Sequence, residues 1–225
     1  MMAEVAEAQV KASSEALLSK RRKKIVADPL DDDNPVTIQV LGICSALAVT
    51  VKMEPTIVMA IAVVFVCVFA NLTISLIRNL IPQRIRIIVM LGIVATLVAL
   101  VDQVLKAYLY DVSKVVGVYV GLIITNCIIM GRLEAFAMAN KPYDSILDGL
   151  GSGLGYAWVI LLVAFFREFF GAGSIVIFDT TLWDFAWLGI DFPNNGLMVS
   201  PVGAFILLGL IIWVQRARNG YVEHN

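Results

Sequence analysis

The sequence predicts an all-α polytopic membrane protein with six transmembrane helices, arranged as a 3+3 inverted repeat. Of its 225 residues, 60% are hydrophobic and only 16% are charged, and the mean hydropathy is +0.86. A soluble domain carries about a quarter charged residues. Because a chain of this length cannot bury so much apolar surface in its own core, the excess faces lipid. The net charge of −1 gives no indication of a nucleic-acid partner.

Six apolar runs separated by short polar segments define the predicted spans. A bilayer-spanning helix needs about 20 residues, which the second and third runs supply. The first and fourth runs have only 16 and 17 residues and include polar ones. Residues 1–35 are predicted to form a cytoplasmic polar N-terminal extension, residues 36–215 the membrane domain and residues 216–225 a cytoplasmic tail. The runs are Val36–Val51, Pro55–Ile77, Ile87–Leu105, Val115–Gly131, Leu150–Phe166 and Leu197–Val214.

Lys and Arg are distributed unequally between the two predicted sides of the membrane. With six spans the two termini share a side, which carries thirteen of the seventeen basic residues. Because cytoplasmic loops are enriched in Lys and Arg, both termini are predicted to be cytoplasmic. The segment Asp179–Asn195 has no Lys or Arg and suits the outer face. The four basic residues on the outer side are Lys52, Lys106, Lys114 and Arg167.

The two three-helix halves, about residues 36–110 and 111–215, share a pattern. Each half opens with a short span that holds a cysteine shortly before a basic residue, Cys44 before Lys52 and Cys127 before Arg132. Because three is an odd number, the halves have opposite orientations in the membrane. Paired short segments at matching positions of inverted halves indicate broken helices that meet near the midplane. Spans 1 and 4 are therefore predicted to be broken there.

The depth of the two cysteines can be estimated from the rise of a helix. Cys44 is the ninth residue of its run, about 12 Å in and close to the bilayer centre. Only about 7 Å of ideal helix separates Cys127 from Arg132, which puts Cys127 nearer the cytoplasmic side. A helix break at Thr125–Asn126 would instead let Cys127 approach the depth of Cys44.

The residues alone leave the role of these thiols open. A buried cysteine usually behaves as a small, inert hydrophobe, and metal ligation and a disulfide are the alternatives for this pair. Two thiolates cannot complete a closed metal site or an iron–sulfur centre, which takes four ligands. Metal binding by Cys44 and Cys127 therefore requires two ligands from another chain. Cys67 has only bulky apolar neighbours in sequence and is predicted to be inert.

Two acidic residues within or beside the predicted spans are candidates for function. An acidic side chain at membrane depth is costly, so Asp102 is either functional or paired with Lys106 one turn on. Asp148 precedes the glycine-rich stretch Gly149–Gly155, where the backbone can approach a neighbouring helix closely. The alternative for Asp148 is capping of a helix start.

The other charged residues suggest simpler roles, and nothing in the chain indicates a reaction of its own. Glu134 is predicted to pair with Arg132, and Arg167 with Glu168 at the membrane interface. The sequence shows no catalytic triad and no phosphate-binding loop in a strand–helix context. We therefore predict no catalytic residue in this chain.

Several segments together resemble one family. Asn34-Pro35 before Gln39-Val-Leu-Gly-Ile-Cys-Ser-Ala-Leu-Ala-Val-Thr50 resembles the opening of the D subunits of sodium-translocating NADH:quinone reductases. The resemblance covers roughly residues 30–215, and the related E subunit of the Rnf complex shares the Thr-Asn-Cys motif. The further matching stretches are Ser75–Asn79, Val101–Tyr108, Gly121-Leu-Ile-Ile-Thr-Asn-Cys-Ile-Ile-Met-Gly-Arg-Leu-Glu-Ala-Phe-Ala137, Asp148-Gly149 and Gly153-Leu-Gly-Tyr156.

The resemblance implies a redox role within a complex. Such complexes have six subunits in the bacterial inner membrane, oxidise NADH, reduce ubiquinone and export sodium. An E-like partner of inverted topology would share a [2Fe–2S] cluster with this chain, whose ligands would be Cys44 and Cys127. Asp102 and Asp148 would lie on the sodium path. NAD, FAD, FMN and riboflavin would be bound only by the other subunits, among them A, B, C and F.

Three alternatives remain beside this interpretation. They are a subunit of an Rnf-type ferredoxin:NAD oxidoreductase, an inverted-repeat secondary transporter without a redox centre, and a purely structural membrane subunit. The sequence also departs from the family pattern in two places. The polar extension before Asp28 is longer than usual, and Cys67 matches no family motif, in agreement with an inert thiol.

Overall fold

A computed structural model of the chain describes residues 25–30, 33–108, 110–171, 174–177, 180–184 and 196–219. Most of the predicted N-terminal extension, most of the predicted outer segment 179–195 and most of the C-terminal tail lie outside the described residues. In chain order the elements are α1 (Ile43–Val49), α2 (Met53–Ile77), α3 (Arg86–Tyr108), α4 (Tyr110–Ile124), α5 (Cys127–Arg132), α6 (Pro142–Gly171), β1 (Ser174–Ile177), β2 (Thr180–Asp184), α7 (Gly196–Val199) and α8 (Pro201–Asn219). Short 3₁₀ turns lie at Asp28–Leu30 and Gln83–Ile85, and a π-helical turn follows α5 at Leu133–Ala137.

Five helical segments in the described part of the chain are long and apolar enough to cross a membrane. They are Met53–Ile77, Gln83–Tyr108, Tyr119–Ala137, Pro142–Gly171 and Pro201–Arg218. The prediction of a predominantly helical, multi-span membrane protein is confirmed at this level. One small departure from an all-α fold is the antiparallel hairpin of β1 and β2.

The first predicted run does not form a membrane-length helix. Only its second part is helical, as the seven-residue α1. The reason is in the backbone, because Val40 has φ 58° and Gly42 has φ 77°, both in the left-handed region. A right-handed helix cannot continue through such residues, and glycine is the residue that adopts this conformation without strain.

The long helices α2 and α6 pack side by side and run in opposite directions. The start of α2 meets the end of α6, where the Met53 amide donates to Glu168 Oε2 at 2.7 Å. Towards the other end of α2, Asn71 Nδ2 donates to the Ser145 carbonyl at 3.2 Å. These helices occupy the second position of each predicted half, and their opposite directions agree with inverted halves.

Glycines on α6 make this packing possible. A Cβ placed at Gly149 would lie 2.8 Å from Asn71 Nδ2 and 3.0 Å from the Cys67 carbonyl oxygen. A Cβ placed at Gly153 would lie 3.1 Å from the Cα of Val64. The sequence prediction that the glycine-rich stretch allows a close helix approach is therefore confirmed.

The N-terminal segment packs against another part of the same helix. The backbone of Val26 lies against Gly151, and Pro29 lies against Gly155. Asn34 Nδ2 donates to the Gly155 carbonyl at 3.2 Å, and Asn34 is buried. The packed part of the chain therefore begins before Val36, the predicted start of the membrane domain.

We predict that Gly149→Ala destabilises the protein while Gly92→Ala does not. The new methyl group at Gly149 would meet the backbone of α2, so the two helices would have to separate, and overpacking typically costs about 1–3 kcal/mol. Gly92 lies in α3 with open space around it, so alanine there adds helix propensity alone. The melting temperature of the purified, detergent-solubilised complex measures the difference. Equal melting temperatures for the two variants would contradict the glycine packing.

Candidate functional site

Helix interruptions lie beside both candidate cysteines. The helix α4 ends at Ile124 and α5 begins at Cys127, so the predicted break at Thr125–Asn126 is present. Asn126 restarts the helix as its N-cap, because its Oδ1 accepts a hydrogen bond from the Ile128 amide at 3.2 Å. In the first half Gly42 is the N-cap of α1, and Cys44 is the second residue of that helix. Both cysteines therefore lie in the first turn after a break.

The two interruptions are in direct contact. The Gly42 amide donates to Cys127 Sγ at 3.1 Å, across a sequence distance of 85 residues. Since Gly42 lies two residues before Cys44, this bond brings the two cysteine segments together. Cys44 is exposed, whereas Cys127 is partly buried. Cys67 is fully buried in α2, where its carbonyl backs onto Gly149.

A buried polar network surrounds the contact. Ser45 Oγ donates to the Gly42 carbonyl at 3.0 Å and lies 2.8 Å from Tyr156 Oη. Asn126 Nδ2 donates to Ser45 Oγ at 3.3 Å. Tyr156 is the fifteenth of the thirty residues of α6, so the network lies halfway along that helix. The contact between the two helix breaks therefore lies beside the midpoint of α6, the longest described helix.

Sequence reasoning assigned no role to Ser45, Asn126 or Tyr156. Ser45 and Asn126 directly adjoin the cysteines in both short runs, so polar residues in an otherwise apolar run were a usable signal. Tyr156 had no such signal, because its partner lies 111 residues away in the sequence.

The site offers two thiol ligands. Among the described residues, no group of three or more His, Cys, Asp or Glu side chains could hold a metal ion. The pair Cys44 and Cys127 fits one half of a four-thiolate iron–sulfur centre. The exposure of Cys44 leaves it accessible to a second chain. The donor set therefore fits a cluster that is shared between two subunits.

Asp148 is not a free carboxylate. It is fully buried, and Arg132 binds both of its oxygens, with Nε 3.0 Å from Oδ2 and Nη2 on Oδ1. Asp148 is the seventh residue of α6, so it does not cap the start of that helix. Glu134 pairs with Arg86 rather than with Arg132, which makes the predicted local pair wrong. Spacing in the sequence favoured Glu134, two residues from Arg132, but in the folded chain Arg132 binds the buried carboxylate of Asp148 instead.

Asp102 pairs with Lys106 in the last two turns of α3. The Lys106 Nζ lies 2.5 Å from Asp102 Oδ2, in the i,i+4 arrangement that the sequence suggested as one alternative. Both side chains are accessible, with 23% of Asp102 and 51% of Lys106 exposed. A pair of this exposure is weakly held, so Asp102 can exchange its partner.

Arg167 and Glu168 do not form the predicted ion pair at the membrane interface. Both side chains are buried, and each bonds to backbone groups at the end of another helix. Arg167 Nη1 donates to the Leu47 carbonyl at 3.2 Å and to Thr50 Oγ1 at 2.8 Å, beside the end of α1. Its other nitrogens donate to carbonyls at the end of α7. Glu168 accepts the first amide of α2, as described above. Each side chain thus satisfies backbone groups that a helix end leaves without partners.

Comparison with known proteins gives a consistent result. The family described as "Rnf-Nqr subunit, membrane protein" matches residues 22–212. The D subunit of the Na(+)-translocating NADH-quinone reductase of Photobacterium profundum is 52% identical over 198 residues, which is 88% of this chain and 93% of that protein. The D subunit of the same enzyme from Pasteurella multocida is 52% identical over 206 residues, which is 91% of this chain and 98% of that protein.

We predict that Asp148→Asn lowers stability strongly. The substitution leaves the Arg132 guanidinium, whose side chain is only 14% exposed, without its counter-ion; removing one partner of a buried pair typically costs about 3–5 kcal/mol, and we expect a loss at the lower end of that range. The matched control is Glu134→Gln, which removes the exposed partner of Arg86 and should cost about 1 kcal/mol or less.

Thermal unfolding and the yield of assembled complex measure both variants. The double variant Arg132→Met/Asp148→Leu should recover part of the loss, because no unpaired charge remains. An Asp148→Asn variant as stable as Glu134→Gln would contradict a structural role for the buried pair.

Proposed function

This chain belongs to the Rnf-Nqr family of membrane subunits, and we propose that it is the D subunit of a sodium-translocating NADH–quinone reductase in a bacterial inner membrane. The observation that carries the proposal is the hydrogen bond from the Gly42 amide to Cys127 Sγ, which joins two interrupted helices at a point two residues from Cys44. Two D subunits of such reductases share 52% of their residues with this chain over most of its length. The chain contributes no catalytic side chain and acts only within the complex.

Cys44 and Cys127 are the proposed ligands for half of a [2Fe–2S] cluster. An E-like subunit of inverted topology supplies the other two thiolates, and the exposure of Cys44 supports a shared site. The two residues that follow Cys127, Ile128 and Ile129, are fully buried, which suits a ligand in a dry site. When bound, the cluster supplies a one-electron carrier between the cytoplasmic and outer sides of the membrane.

Six membrane crossings follow if the first segment traverses the bilayer without a long helix. Its contacts advance along α6 in chain order, with Val26 at Gly151, Ser45 at Tyr156 and the Met53 amide at Glu168. The seventeen-residue distance from position 151 to position 168 of a helix is about 26 Å, most of the thickness of a hydrocarbon core. We therefore count the segment from Val26 to Thr50 as the first crossing, which completes a 3+3 inverted repeat.

An even number of crossings puts the two termini on one side of the membrane. That side carries thirteen of the seventeen Lys and Arg residues, which supports a cytoplasmic location for both termini. The Asp102–Lys106 pair then lies towards the outer surface, and the loop before α6 lies at the cytoplasmic one. The remaining subunits hold NAD, the flavins and ubiquinone.

Asp102 is the better placed of the two acidic residues for a role in sodium transport. Among the described residues its carboxylate pairs with Lys106, an exchangeable partner at the accessible end of α3. Both oxygens of Asp148 are occupied by Arg132, so Asp148 can bind a cation only if that buried pair opens. Reduction of a bound cluster would add negative charge at low dielectric and would favour a cation nearby, and Asp102 would supply a carboxylate for that cation.

Cysteine substitutions test the ligand assignment. In the purified complex we expect Cys44→Ala and Cys127→Ala each to abolish the iron–sulfur signal in electron paramagnetic resonance and to lower iron and sulfide content. Cys67→Ala is the control, because Cys67 is buried in α2 away from the contact, and it should leave both unchanged. If iron and signal survive in both ligand variants, the assignment is wrong, and a transporter without a redox centre becomes the better account.

An Asp102→Asn variant tests the sodium assignment. We expect weaker dependence of quinone reduction on sodium concentration, because the carboxylate that would attract the cation is gone, with the iron–sulfur signal unchanged. Lys106→Gln is the control, since it removes the competing cation and retains the carboxylate. Unaltered sodium dependence in Asp102→Asn would count against Asp102.

A further inference from the structure

We infer that Tyr156, Ser45 and Asn126 are positioning residues that hold the Gly42 amide on Cys127 and thereby set the reduction potential of the bound cluster. The inference rests on the proposed function, because the potential belongs to the iron centre. Ser45 and Asn126 belong to the two interrupted segments that carry the cysteines. Tyr156 belongs to α6, which carries none of the proposed ligands.

The donors and acceptors of the network can be assigned from its contacts. Asn126 Oδ1 accepts the Ile128 amide, so its Nδ2 faces Ser45 and donates. The Ser45 hydroxyl has one proton, and the Gly42 carbonyl beside it can only accept, so Ser45 donates there. Tyr156 must then donate to Ser45 across the 2.8 Å contact. All the hydrogen-bonding positions of the Ser45 hydroxyl are filled.

The network restrains the backbone of Gly42, a residue without a side chain that could form contacts of its own. Gly42 adopts φ 77°, and its amide donates to Cys127 Sγ while its carbonyl accepts both the Ser45 hydroxyl and the Ala46 amide, the latter at 3.1 Å. Without the hydroxyl of Ser45 or its support from Tyr156, the Gly42 carbonyl keeps only the Ala46 amide, and the backbone around Gly42 is held less tightly. The amide would then move relative to the sulfur of Cys127.

A change in that hydrogen bond alters the charge balance at the sulfur. An N–H donor stabilises negative charge on a thiolate, and hydrogen bonds to the sulfurs are among the factors that tune the potential of an iron–sulfur cluster. Reduction adds one electron, so the donor stabilises the reduced state more than the oxidised state. The Gly42 amide therefore raises the potential, and weakening its hydrogen bond lowers it.

The test is a redox titration of the purified complex followed by electron paramagnetic resonance. In Tyr156→Phe and in Ser45→Ala we expect the ratio of reduced to oxidised cluster at a fixed ambient potential to fall about tenfold, which is about 59 mV for a one-electron couple. Iron and sulfide content should stay at the wild-type level. The double variant should shift no further than the larger single shift, because both residues act through one chain of hydrogen bonds.

Ser152→Ala is the matched control. Ser152 lies one turn before Tyr156 on α6, and its buried hydroxyl has no hydrogen-bond partner among the described residues, so its loss should leave the potential unchanged. Retained iron with an unchanged potential in Tyr156→Phe and Ser45→Ala overturns the inference, and so does an equal shift in Ser152→Ala. Loss of iron in Tyr156→Phe also overturns it. A wild-type complex without iron overturns the proposed function itself, which iron analysis distinguishes before any titration.

Discussion

Hydrogen bonding of the backbone in the absence of water is the constraint on which this structure depends. In the membrane interior each unsatisfied amide or carbonyl costs several kcal/mol, so a helix can be interrupted there only if other groups replace the lost partners. Here the replacements come largely from the opposite half of the chain. The sulfur of Cys127 accepts the amide of Gly42, and Arg167 donates to the carbonyl of Leu47 at the far end of α1. The first interrupted segment is thus completed by the second half, whereas the second is restarted by its own Asn126.

The helix α6 provides most of these partners from a single rigid element. Along its length the Gly155 carbonyl, the Tyr156 hydroxyl and the Arg167 and Glu168 side chains bind successive parts of the first segment and the start of α2. Its glycines let α2 and the N-terminal segment approach at backbone distance. The irregular first segment is therefore held by a regular neighbour, which explains how so short a helix as α1 can be ordered at mid-depth.

The sequence was sufficient to predict the features that depend on local pattern, namely the long helices and a helix break. It was insufficient to predict which side chains pair with each other. Hydropathy located the long helices, and the polar Thr125–Asn126 pair in a short run correctly marked a break. It could not show that Arg132 binds Asp148 rather than Glu134, because the pairing is decided by burial in the folded chain. The left-handed backbone at Val40 was equally hidden, since a β-branched residue rarely adopts it. The ligand roles of Cys44 and Cys127 remain predictions.

The two cysteines differ in a way that bears on assembly. Cys127 already has its sulfur bound by an amide of the same chain, and the residues around that contact are buried, so this proposed ligand is held in place by the chain itself. Cys44 is exposed and directly precedes Ser45 of the same network. Under the proposed function, a partner that brings two thiolates would meet a half-site whose geometry needs little reorganisation, and preorganisation of this kind lowers the entropic cost of association. The hydrogen bonds that make the helix breaks tolerable in the membrane would then also prepare the chain for the metal centre that we propose.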